Sequence, residues 1–121
     1  MDNLSVPRLL TDLFEINKNQ NNYEWESFKE GIEIYRIYEE NAKGASAALL
    51  RYARGAEAPM HIHTGFEHIL ILSGSQTDGV RIYSKGMLII SEPGTQHRIV
   101  SETGCIALAI WQSPVKFTNL A

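Results

Sequence analysis

Three of the four histidines in this chain fall into a pattern that suits metal chemistry. His61 and His63 are two residues apart, and in a strand that spacing sends both imidazoles to one face. Glu67 follows after a Thr64-Gly65 bend, at an even separation from His63, so its carboxylate can return to the same face. His97 arrives from a separate stretch, just past Pro93-Gly94. Imidazole nitrogens combined with a carboxylate oxygen make a site for one divalent metal ion, and this donor mix accepts zinc, iron, manganese or nickel, and copper as well. Glu67 is read as the fourth ligand and could double as a base; a carboxylate in its place can instead orient an imidazole from outside the coordination shell. Four protein ligands leave open positions on a six-coordinate ion, as catalysis requires, whereas a closed tetrahedron suits structural zinc.

Short strands must carry these side chains. Gly31–Tyr38 alternates in part, as a half-buried strand does, and Ala45–Tyr52 is the next strand beyond the Asn41–Gly44 turn. His61–His63, Glu67–Leu72, Val80–Tyr83, Met87–Ile90, His97–Val100 and Cys105–Trp111 follow, with a turn placed between Gly74 and Gly79. About eight strands at regular spacing, punctuated by glycine, predict an all-β sandwich or barrel of the jelly-roll kind. Only the N-terminal segment has a helical case. Leu9, Leu10, Leu13 and Phe14 fit one short turn, with Thr11 or Asp12 as its cap, and Asn17–Asn22 reads as a loop.

The bulk properties narrow the function. A length of 121 residues predicts one domain, and 44% apolar with 21% charged residues is ordinary for a globule. A net charge of −3 gives no attraction for polyanions, which argues against nucleic acid as a partner. The single cysteine, Cys105, forbids an intrachain disulfide. With no secretory leader pattern and no apolar run long enough to span a bilayer, the expectation is a cytoplasmic protein with no membrane association.

The segment Gly55-x5-His61-x-His63-x3-Glu67-x6-Gly74 matches every fixed position of the first cupin motif. Gly86-x5-Glu92-Pro93-Gly94-x2-His97 resembles the second, with the proline one residue late and Ser101 where the family often has asparagine. From Ala48 to Trp111 the chain is also similar to the cupin domain of ChrR-type anti-sigma factors. The resemblance implies a cupin double-stranded β-helix, a jelly-roll β-barrel spanning residues 25–121, with a short N-terminal extension over 1–24. It also implies zinc bound through the four ligand positions occupied here by His61, His63, Glu67 and His97. The first 25 residues hold neither Cys nor His, unlike the zinc-binding helical domain of full-length ChrR-type proteins, so a stand-alone cupin is expected.

Arg51, Tyr52, Met60 and Trp111 are candidates to line a pocket beside the ion, and Phe66 could wall it. His68 neighbours Glu67 on a strand and should face the other way, and Cys105 reads as a buried small apolar residue. Cupins with this ligand set include dioxygenases, oxidases, decarboxylases and isomerases. The resemblance therefore implies a metalloenzyme of dioxygenase or oxidoreductase type acting on an oxygen-bearing small-molecule substrate. The alternative is a metal-dependent sensor or ligand-binding module without turnover. Edge strands in so small a barrel need protection, so a homodimer is expected, with Leu9, Leu10 and Phe14 covering an edge or crossing to the partner.

Overall fold

The computed structural model describes residues 5–118, so the outer ends of the segments 1–24 and 25–121 lie outside the described residues. Ten strands are formed: β1 (Glu26–Lys29), β2 (Ile32–Glu39), β3 (Ser46–Tyr52), β4 (Ala56–Ile62), β5 (Glu67–Thr77), β6 (Ile82–Ser84), β7 (Leu88–Ser91), β8 (Gln96–Ser101), β9 (Cys105–Trp111) and β10 (Lys116–Phe117). They pair in the order β1-β2-β3-β9-β5-β8-β4-β10, with β6 and β7 also on β5, and every pairing is antiparallel. The expected all-β jelly roll is present as a curled sheet.

β5 makes the curl. Its first residues pair with β7 and β9, and its last residues pair with β6 and β8. The sequence places a turn from Gly74, yet the strand runs on to Thr77. A bulge between Ile71 and Ser73 bends the strand without ending it. Gly74 sits at φ 73°, and a Cβ there would collide with the carbonyl oxygen of Gly104. Strands β1 and β10 carry too little alternation to be seen in the sequence.

The sheet buries both of its faces along β3. The inner face holds Ile32, Ile34, Leu50, Ile71 and Ile99. The outer face holds Leu49, Leu72 and Ile106, and these are roofed by Ile16 from the N-terminal segment. That segment corrects the sequence reading. Its helical turns lie at Leu13–Glu15, α1 (Ile16–Asn19) and Gln20–Asn22, so the asparagine-rich stretch is wound and residues 9–12 are not. Asp12 takes the N-cap position in a left-handed conformation and makes no side-chain cap hydrogen bond. Tertiary packing outweighs local propensity here. The winding buries Ile16, a gain of about 1.5–3 kcal/mol, and lets the Trp25 indole donate to the Gln20 carbonyl at 2.8 Å. Leu10 packs on this outer cluster while Leu9 and Phe14 stay exposed, so the segment covers a sheet face, not an edge. Among the described residues, no helix is long and apolar enough to cross a membrane.

Candidate metal centre

Backbone pairing brings the four residues together. His61 on β4 lies directly opposite His97 on β8. Glu67 opens β5 opposite Trp111 on β9. His63 lies just past β4, where its N–H donates to the Thr95 carbonyl at 2.9 Å and its carbonyl accepts from Gly94 N–H at 2.8 Å. The Pro93-Gly94 turn therefore fixes the third imidazole. One ligand atom from each of His61, His63, Glu67 and His97 falls within 4.8 Å of the others. The three rings stand nearly perpendicular, with centroids 4.6–5.2 Å apart.

The hydrogen bonds set the tautomers. His61 Nδ1 lies 2.7 Å from the Pro59 carbonyl, which can only accept, so Nδ1 carries the proton and Nε2 keeps a free lone pair. His63 Nδ1 likewise donates toward the Thr95 carbonyl at 3.1 Å and the Thr95 hydroxyl at 2.9 Å. The Thr95 hydroxyl gives its own proton to the Glu92 carbonyl at 2.6 Å, so it is free to accept. His63 Nε2 consequently turns a bare lone pair toward Glu67 Oε1 at 3.1 Å, with His97 Nε2 at 3.8 Å from the same oxygen. Acceptors this close repel unless a positive charge lies among them. A divalent ion satisfies all of them at once, so the residues present fit the ion that the donor set implies.

Burial tunes the same groups. It is the main cause lowering the pKa of His61, and it pulls His97 down to about 4 with the help of neighbouring His61. Both imidazoles are thus held neutral, the state that ligates. Burial pushes the Glu67 carboxyl up, but the adjoining His63 imidazole and the hydrogen bond from Trp111 outweigh it and the net shift is downward. Trp111 Nε1–H donates to Glu67 Oε2 at 2.7 Å, which leaves Oε1 for the imidazole side.

A cavity of ≈ 50 Å³ adjoins the quartet. His61, Glu67 and His97 form part of its wall, with Phe28, Ile89 and Phe117 among the apolar residues. Of the four pocket candidates, Tyr52 and Trp111 line it. Arg51 and Met60 do not, and that expectation is corrected. Arg51 alternates with Leu50 and Tyr52 along β3, so it points outward, where it binds Glu33 at 2.7 Å and lies over the Trp25 ring. Met60 neighbours inward-facing His61 and is exposed, as is Phe66. His68 lies on the outer surface between Ile90 and Ile110. Cys105 is buried and accepts a hydrogen bond from Gln76 Nε2 at 3.5 Å, and burial raises its thiol pKa. The sequence reading missed Thr95, Gln76 and Phe117. Only Thr95 had a signal, a hydroxyl residue inside the Pro93-Gly94 turn that leads to His97.

A curled antiparallel sheet gathering three imidazoles and a carboxylate on its inner face defines a cupin. The sequence matches the ChrR Cupin-like domain family over residues 15–114, and the chain belongs to that family. Among solved structures it is similar to the anti-sigma factor ChrR in complex with SigE of Rhodobacter sphaeroides, at 27% identity and a TM-score of 0.66, over 75% of this chain and 49% of that one. The chain therefore spans about half the length of the ChrR chain it matches. An RmlC-like cupin of Ralstonia eutropha matches at 19% identity and a TM-score of 0.73, over 83% of this chain and 69% of that one. An acetylacetone dioxygenase of Acinetobacter johnsonii matches at 14% identity and a TM-score of 0.75, over 99% and 82%. The last two likenesses are of fold alone. No curated protein matches the sequence.

Proposed function

We propose that this protein is a metal-dependent cupin of the dioxygenase or oxidoreductase type, acting on a small oxygen-bearing molecule. One observation carries the reading: His61, Glu67 and His97 border a mostly apolar cavity, where a purely structural ion would need no room. His61, His63, Glu67 and His97 would hold the ion. A divalent ion in that place polarises a bound oxygen and, when redox-active, supplies electrons for oxygen chemistry. The chain's own residues do the rest. Pro59 and Thr95 keep the imidazole lone pairs aimed inward, and Trp111 keeps Glu67 ionised and oriented. The largely apolar wall limits water around the site, which strengthens the charge interactions within. Glu67 borders the cavity, so it is the carboxylate placed to take a proton from a bound substrate.

The test has two stages. Elemental analysis of protein purified without added metal should return close to one ion per chain. Oxygen uptake is then followed with iron-loaded protein and small diketones, the substrate class named by the acetylacetone dioxygenase that shares the fold. Uptake matched by product supports the reading. A filled site with no uptake across a panel of diketones, flavonols and thiols counts against it.

The family match and the likeness to ChrR favour a second reading, in which the ion shapes the pocket and the output is a protein contact. Capture of a specific partner protein by the metal-loaded chain, with no turnover, would select it.

A further inference from the structure

The cavity has a second polar pole. β9 runs from Trp111, opposite Glu67, to Cys105, opposite both Tyr52 and Gly74. Tyr52 and Gln76 therefore lie toward the far end of the inner face from the metal quartet, yet both line the same cavity. Both are nearly enclosed, at 7% and 4% exposed. Tyr52 packs in the inner core cluster with Leu50 and Ile71, and burial, then Cys105 and Glu67, raise the pKa of its phenol. Gln76 gives one of its two N–H groups to Cys105. Among the described residues, neither the Tyr52 hydroxyl nor the Gln76 carboxamide oxygen has a hydrogen-bond partner. No side-chain nitrogen or oxygen among the described residues is both sealed from open space and unpaired, so both atoms keep access to space. Polar atoms in an apolar chamber cost free energy unless something bonds them.

We propose that Tyr52 and Gln76 form a recognition subsite for a hydroxyl group carried by the substrate at a distance from the oxygen that meets the ion. The phenol O–H donates and the carboxamide oxygen accepts. A hydroxyl both accepts and donates, so it matches the pair; a carbonyl would satisfy only the phenol and an alkyl group neither. The substrate class is therefore a small hydroxylated ketone or related molecule with two separated oxygen functions. The chamber, at ≈ 50 Å³, is small, so the substrate has few heavy atoms. The inference rests on the metal-centred reading for the first oxygen only.

The experiment compares paired probes on zinc-loaded protein by calorimetry: 4-hydroxy-2-butanone against 2-pentanone, and 5-hydroxy-2-pentanone against 2-hexanone. Each pair exchanges a hydroxyl for a methyl. The expected result is that at least one hydroxyketone binds about tenfold tighter than its alkyl partner. Tyr52→Phe and Gln76→Leu should each erase most of that advantage while leaving the alkyl ketone and the metal content unchanged. Equal affinities within both pairs, or an advantage that survives in both variants, would overturn the subsite. Failure of the metal-loaded protein to bind any probe would overturn it too. A protein that takes up no zinc but still prefers the hydroxyketones, with the preference lost in Tyr52→Phe, would sink the metal reading and leave the subsite standing.

Discussion

Replacing Trp111 by phenylalanine isolates the hydrogen bond that steers the only carboxylate in the quartet. Phenylalanine keeps an aromatic ring on the cavity wall but cannot donate to Glu67 Oε2, now satisfied at 2.7 Å. A hydrogen bond to a charged acceptor contributes about 1.5–3 kcal/mol. If most of that is felt at the ion, zinc affinity falls about ten- to a hundredfold, the range seen when outer partners of metal ligands are removed. The same bond helps hold the Glu67 pKa down. Without it the carboxyl protonates at a higher pH, so the deficit must widen as the medium is acidified. Competition against a chelator of known affinity, run at two pH values, measures both effects. Unfolding of the metal-free variant, compared with wild type, separates loss of orientation from loss of fold. A zinc affinity within twofold of wild type at both pH values would refute the reasoning. It would mean that Glu67 is held in place by something other than the indole.

The double substitution His61→Ala with His63→Ala should abolish stoichiometric metal, read by elemental analysis; full occupancy would remove both residues from the ligand set. The metal-free protein should lose stability as pH falls from about 6.5 toward the His97 value of about 4, because the unfolded chain takes up protons that buried His61 and His97 resist. Denaturant midpoints across that window test the sign, and a flat profile would contradict it. Gly74→Ala should cost at least about 2 kcal/mol, since it adds strain at positive φ to a collision with the backbone of Gly104. Ile16→Ala should cost about 2–4 kcal/mol by denaturant unfolding, because Ile16 roofs Leu49, Leu72 and Ile106; no loss would show that the N-terminal turns are not part of the cooperative fold.

The candidate centre was legible because its logic is local. An alternation of two places His61 with His63, an even step returns Glu67, and a Pro-Gly turn marks the approach of His97. The cavity was harder, for it depends on which face each neighbour takes. Arg51 and Tyr52 are adjacent in β3, so they cannot share a wall, and Met60 is opposed to His61 by the same rule. Phe28 and Phe117 reach the cavity from strands of four and two residues, which are too short to show a period. Gln76 was hidden because Gly74 reads as the end of a strand, when in fact it lets β5 continue around the barrel. The N-terminal turns were misplaced for a related reason. Their winding is chosen by the apolar outer face of β3, and that face is built from residues well beyond them in the chain.

His61 and His97 face one another only after β4 and β8 have zipped together across the 35 residues of intervening chain. Before that moment the polypeptide can offer a cation little more than the neighbouring pair His61 and His63, a loose and unselective grip. The complete set of four donors is therefore tied to barrel closure, and an ion can meet all of them only in the folded chain. Adding one chosen ion at successive stages of refolding would show when that grip becomes complete.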